Sequence, residues 1–328
     1  MNEAPPTTNN HSDAGLTPKT NKALLRKMLV WLFMIISLGY LVYRLKDFSI
    51  GRELNILPHS LQFRWLLMTV LLIPVNWFAE VRKWMLVLRH TESSTVGNSL
   101  KAILAGAATA FVTPNRMGDI VGRTTFMQTQ NRSKAPALAM INSLTQNVAI
   151  LLVGIPASII FFQNNINLIP ENLQHTINNL SIMLVLFVAV ILLLPQITRI
   201  INSERWQLWL SGISRYNRPE LIMILFLSLL RFSISCIQLY AMLRFAGVEL
   251  TPAEALMSIP ASYLFVTYTP SLSLSEGIVR SSWAVFFIGA YSAATPAIVL
   301  AGLGLWLLNV VIPVVAGNVL ILKKVKEK

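Results

Sequence analysis

The chain has 328 residues, of which 54% are hydrophobic and 12% charged, with a mean hydropathy of +0.59; soluble domains are roughly 45–50% apolar and about 25% charged, so a soluble fold is excluded in favour of an integral membrane protein. In that setting the net charge of +13 reads as Lys and Arg facing the cytoplasm beside anionic lipid, and no nucleic-acid partner is expected. The single cysteine, Cys236, excludes an internal disulfide, and His11, His59, His90 and His175 are nowhere paired at ligand spacing, so neither a metal nor another cofactor is expected.

Residues 1–21 are rich in Pro, Thr, Asn and Ser without an apolar core, which predicts a disordered cytoplasmic tail and no signal peptide. From residue 22 to 322 the chain reads as one polytopic membrane domain, closed by a basic cytoplasmic tail at 323–328. A spanning helix needs about 17–25 apolar residues. Six runs qualify: Leu24 to Leu45, Trp65 to Leu88, Pro136 to Phe162, Ile177 to Leu194, Leu221 to Phe245 and Pro296 to Leu322. Two shorter runs, Asn98 to Thr113 and Ala253 to Thr269, are rich in small residues and end at Thr-Pro pairs, as expected of re-entrant hairpin arms. Pro74, Pro156, Pro260 and Pro313 are expected to interrupt their helices. The fold class is therefore all-α integral membrane, with six spanning helices and two re-entrant helical hairpins.

Loops Gln163 to His175 and Gly289 to Ala297 contain no Lys or Arg and should face outward. Lys19, Lys22, Arg26 and Lys27, the loop with Arg199, Arg205, Arg215 and Arg218, and the C-terminal lysines should face the cytoplasm, placing both termini on the cytoplasmic side of a cell inner membrane. Arg44, Lys46, Arg52 and Arg64 run against this scheme, partly offset by Asp47 and Glu53. Arg89 and Arg244 are 155 residues apart, the Thr-Pro pairs 156, and Asp119/Glu276, Arg123/Arg280 and Pro156/Pro313 each 157. This points to an internal repeat, about 65–162 and 221–322, and the count of crossings makes the two copies inverted. Transporters use that arrangement around a midplane site.

Thr113-Pro114-Asn115-Arg116-Met117-Gly118-Asp119 continues to Arg123, and Thr269-Pro270 continues to Glu276 and Arg280. In each, an acid precedes an arginine by four residues. A helix restarting after Thr-Pro presents free N–H groups and a positive dipole end, which Thr113 or Asn115 could cap in the first copy and Ser273 or Ser275 in the second. Arg116, Arg123 and Arg280 could grip a phosphate through paired hydrogen bonds. The plainer reading is that Asp119–Arg123 and Glu276–Arg280 are i,i+4 ion pairs neutralising one another. Against it, Arg116, Arg123, Arg231 and Arg280 outnumber Glu80, Asp119 and Glu276, leaving positive charge for a substrate anion to match. Asn76, Glu80 and Lys83 share one helix face, Arg231 lies at the repeat offset from Asn76 with Ser235 and Gln238 continuing its face, and Asn142 and Gln146 form an i,i+4 amide pair. Helix-to-helix hydrogen bonding is the first reading for the amides. No nucleophile with an adjacent base and no glycine-rich phosphate loop is present, so no enzyme is expected.

The stretch Thr113 to Arg123, preceded by Arg82-Lys83-Trp84 and followed by the Pro270 to Arg280 segment, resembles the membrane region of lysylphosphatidylglycerol synthases, which also occurs alone as a flippase-like family. The resemblance implies a translocase for an anionic or aminoacylated phospholipid or a polyprenyl-phosphate-linked sugar. It carries the first motif's roles onto Arg116, Gly118, Asp119 and Arg123. The family's second motif is glycine-rich with Arg followed by Glu; here serines replace glycines and Glu276 precedes Arg280. Without the aminoacyl-transfer domain of the full synthases, lysyl transfer is not expected. The substrate-binding candidates are Glu80, Arg116, Asp119, Arg123, Arg231, Glu276 and Arg280. The alternative function is a non-transporting partner that presents a lipid-linked precursor to a glycosyltransferase or other envelope enzyme, and a weaker one is an intramembrane transferase using Asp119 or Glu276 as base.

Overall fold

The computed structural model describes residues 28, 32, 35–45, 62–111, 113, 118–165, 216–271 and 275–326. Among these the secondary structure is helical throughout, without strands. In chain order the helices are α1 (Ile35–Leu45), α2 (Phe63–Leu88), α3 (Val96–Phe111), α4 (Gly118–Thr124), α5 (Ala135–Asn164), α6 (Arg218–Phe245), α7 (Pro252–Tyr268), α8 (Glu276–Ile288), α9 (Thr295–Trp306) and α10 (Ile312–Lys326). Among the described residues, four helical stretches are long and apolar enough to cross a membrane: Phe63–Leu88, Thr129–Asn164, Arg218–Phe245 and Thr295–Lys324. Four of the six expected spans are thus present. Of the first only α1 and scattered residues are described, and Ile177 to Leu194 lies outside the described residues, as do the N-terminal tail and the basic loop near Arg205.

The prolines do not break the helices as expected. Pro74, Pro156 and Pro260 sit inside α2, α5 and α7, which continue past them. Only Pro313 coincides with a change of winding, a π-helical turn at Leu307–Val311 that joins α9 to α10. Proline has no N–H to offer the carbonyl four residues back, that of Asn309, so the α register fails there and a wider turn takes its place. The ends are set by ordinary local chemistry. Asn217 with Glu220 and Thr251 with Glu254 form capping boxes that start α6 and α7. Gly247, at φ 83°, closes α6 with Val248 N–H bonded back to Leu243 O at 2.8 Å.

Helices α2 and α6 lie antiparallel along one another. Trp65 near the start of α2 packs edge-on to Tyr240 and under Arg244. At the opposite end Arg89 and His90 reach Glu220 at 3.2 and 2.9 Å. Around this pair the contacts cross over: α3 packs on α10, and α5 packs on α7. Small residues make the closest of these approaches possible. Gly122 of α4 sits on the backbone carbonyl of Ala105 in α3, Gly317 of α10 on that of Leu104, and a Cβ at either would collide with it. Thr109 Oγ1 lies 2.6 Å from Gly118 O, and Gly118 N–H donates to Thr113 Oγ1 at 2.7 Å, so the expected cap at Thr113 is present.

Gly122→Ala and Gly317→Ala should each lower the thermal unfolding midpoint in detergent, at a cost of about 1–3 kcal/mol. Gly97→Ala, where an added methyl meets nothing within 4 Å, should leave the midpoint unchanged or slightly higher. Equal midpoints for all three would contradict the close backbone approaches.

Candidate functional site

The middle of the bundle is organised by one carboxylate. Glu80 follows Asn76 by one turn on α2, a helix otherwise apolar enough to be pressed against α6, and its side chain is 6% exposed. Oε1 accepts from Arg123 Nη2 at 2.9 Å and Asn142 Nδ2 at 3.1 Å. Oε2 accepts from Arg231 Nη1 at 2.7 Å and lies 3.3 Å from Lys83 Nζ. Every lone-pair direction of Glu80 is therefore used, by groups on α2, α4, α5 and α6.

Each cation has further partners. Arg123 donates through Nε to Asp119 Oδ2 at 2.8 Å, and its guanidinium lies 4.6 Å from the Trp84 ring. Gly106 of α3 makes room for this pair, since a Cβ there would collide with Asp119 Oδ1. Arg231 donates to Asn76 Oδ1 and Gln146 Oε1, both at 3.1 Å. Lys83, fully buried, donates to Asn142 O and Gln146 Oε1 at 3.3 Å each. Arg280 of α8 pairs with Glu276 Oε1 at 2.9 Å and lies 5.2 Å from the Tyr263 ring.

These groups surround a cavity of about 240 Å³, walled by Glu80, Asp119, Arg123, Arg231, Arg280 and Tyr263 and lined on another side by Trp306 at the end of α9 and Asn309 in the turn that follows. The expectation that Arg123 and Arg280 meet at one place is met, and Glu80, Asp119 and Arg231 join them there. Glu276 holds Arg280 from behind. Arg116 lies outside the described residues. The expected surplus of positive charge does not take the form of unpaired arginines: Arg123, Arg231 and Arg280 each touch a carboxylate, because Glu80 is shared and each short helix brings its own acid. With Lys83 included, four cations face three carboxylates, so the described cluster carries one net positive charge. Arg123 Nη1 and Arg280 Nε are in addition buried without a hydrogen-bond acceptor.

Sequence reasoning missed Tyr263, Trp306 and Asn309 as parts of the wall. A usable signal was present. Asn76, Arg231 and Asn309 stand at the middle of three of the span-length stretches, and Gln146 at the middle of the fourth. A polar group half-way along an apolar span has no water to turn to and must find a protein partner. Among the described residues no group of three or more His, Cys, Asp or Glu is placed to hold a metal ion.

Glu80→Gln removes the one charge shared by Lys83, Arg123 and Arg231, the first two of them buried, and should cost about 3–5 kcal/mol of stability, read as a fall in the unfolding midpoint of the purified protein. Asp119→Asn should cost less than half as much, because that carboxyl is 24% exposed and pairs with Arg123 alone. Equal losses would contradict the central place given to Glu80.

No curated protein matches the chain. The family model described as the lysylphosphatidylglycerol synthase TM region matches residues 29–317, which includes all of α2 to α9 and the whole of the charged cluster. With four span-length helices and a match over most of its length, this multi-pass membrane protein belongs to the lysylphosphatidylglycerol synthase TM region family.

Proposed function

We propose that this protein is a membrane lipid translocase and not an enzyme, and that the cavity between Arg123, Arg231 and Arg280 receives the anionic headgroup of a phospholipid or polyprenyl-phosphate-linked lipid. The observation that carries this reading is the placement of that cavity half-way along the span-length helices, with one uncompensated positive charge. A phosphate brings the missing anion, and its oxygens suit the paired donors of a guanidinium.

The arginines divide the work. Arg231 and Arg280 are 27% and 16% exposed and bind the headgroup directly, whereas Arg123, at 6%, is locked between Glu80, Asp119 and Trp84 and sets the shape and potential of the wall. Glu80 and Glu276 hold Arg231 and Arg280 in place when no headgroup is bound, exchanging partners as it passes.

The architecture in this reading is an inverted repeat. Helices α2 to α5 and α6 to α10 follow the same order of long, medium, short and long segments, and the crossed contacts of α3 with α10 and α5 with α7 are those that a two-fold axis would interchange. The α3–α4 and α7–α8 pairs then act as re-entrant hairpins from opposite faces, in a cell inner membrane with both termini cytoplasmic. Rocking of the halves about α2 and α6 would expose the cavity to each side in turn. Membership of a family described by its lysylphosphatidylglycerol synthase region supports a lipid substrate.

In vesicles carrying a fluorescent phosphatidylglycerol and probed with a membrane-impermeant quencher, the purified protein should accelerate leaflet exchange. Arg231→Gln and Arg280→Gln should each slow it at least about tenfold, as expected for loss of a charged hydrogen bond. Exchange no faster than in protein-free vesicles, from protein that still retains lipid, would favour the presenting role beside an envelope enzyme.

A further inference from the structure

The cavity wall also carries an acceptor whose direction is fixed by a relay of amides. Thr69 O is a backbone carbonyl and can only accept, so Gln238, fully buried, must turn its Nε2 towards it, at 3.1 Å. Its Oε1 then faces Asn309, which must in turn present Nδ2, at 2.9 Å. Asn309 Oδ1 is left as an acceptor, buried and without a hydrogen-bond partner, on a residue that lines the cavity. Flipping Asn309 would set two oxygens against one another, so the orientation does not depend on which amide atom is assigned as oxygen.

An unmet buried acceptor is costly and calls for a donor. Two polar side chains of the same wall are already engaged elsewhere: Asn76 Nδ2 reaches Ser235 Oγ at 3.4 Å, and Tyr263 O–H donates to Ser235 O at 3.1 Å. Three residues before Asn309, Trp306 Nε1 is buried without an acceptor. Asn309 and Trp306, both residues of the wall, thus hold one unmet acceptor and one unmet donor, the complement of a hydroxyl group. The placement follows from the π-helical turn at Leu307–Val311, which shifts Asn309 out of the α register.

We infer that Asn309 is a specificity-determining residue, accepting a hydrogen bond from a hydroxyl or ammonium group carried by the headgroup next to its phosphate, so that the cavity selects donor-bearing phospholipids over those whose phosphate bears only an alkyl group. This rests on the reading of the cavity as a headgroup site. The phosphate is held by Arg231 and Arg280, and Asn309 reads what is attached to it. Gln238 is a positioning residue that acts through Asn309.

The main comparison is between two lipids of equal charge. Native mass spectrometry of the full-length protein in detergent, titrated with phosphatidylglycerol and with phosphatidylmethanol, should show about three- to tenfold tighter binding of phosphatidylglycerol, the worth of one hydrogen bond. In Asn309→Leu the ratio should fall to about one while phosphatidylmethanol binds as before. Gln238→Leu, which keeps Asn309 but frees it to turn, should lower the ratio as well. Phosphatidylethanolamine, whose ammonium donor comes with zero net charge, adds a one-way comparison: preference for it over phosphatidylmethanol assigns the contact to any donor. Equal wild-type affinity for all three lipids would overturn the inference even if no variant folds. Failure to bind any of them would instead overturn the headgroup site itself.

Discussion

A carboxylate buried among three cations is the constraint around which this bundle is built. Glu80 alone would be expensive to remove from water, and so would Lys83, Arg123 and Arg231. Together they hold only if the four helices that supply the cluster are in register, because the hydrogen bonds at 2.7 to 3.3 Å leave little room for a shift of either partner. The cost of burial is thereby turned into a requirement for one arrangement of α2, α4, α5 and α6. Asn142 and Gln146, which bond across helices as amides in an apolar medium commonly do, also serve as acceptors and donors for the charged set.

The short helices depend on the same economy of space. α4 can bring Asp119 and Arg123 against Glu80 only because Gly106, Gly118 and Gly122 let two backbones approach to contact. Bulkier residues at these points would hold the guanidinium away from its carboxylates and leave both buried and unpaired. α8 shows the counterpart, with Glu276 and Arg280 paired within the helix and Tyr263 of α7 beneath the guanidinium. The cavity lies where Asp119 and Arg123 of the one and Arg280 of the other meet residues of α2 and α6.

Much of this was legible in the residues themselves. Apolar runs located the span-length helices to within a few residues, and the offsets near 155 to 157 matched Asn76 to Arg231, which bond to one another at 3.1 Å. The acid-to-arginine spacing of four residues likewise gave the Asp119–Arg123 and Glu276–Arg280 pairs. Charge bookkeeping by depth was less successful. Counting Arg and acid residues along the chain says nothing about sharing, and Glu80 serves Arg123 and Arg231 at once while Lys83 joins the same cluster. Tyr263 and Trp306 were hidden for a different reason: aromatic residues in apolar helices carry no periodic mark that separates a cavity wall from lipid-facing or core positions. Asn309 was hidden by the π-helical turn, since its direction depends on winding that Pro313 imposes four residues further on.

The central claim is that a lipid phosphate occupies the space between Arg231 and Arg280, and imaging it is the most direct test. A cryo-electron microscopy reconstruction of the protein in nanodiscs containing phosphatidylglycerol should show headgroup density in this cavity, with phosphate oxygens at about 2.7–2.9 Å from both guanidinium groups and the acyl chains leaving between helices. A cavity containing only water, with ordered lipid confined to the outer surface of the bundle, would contradict it.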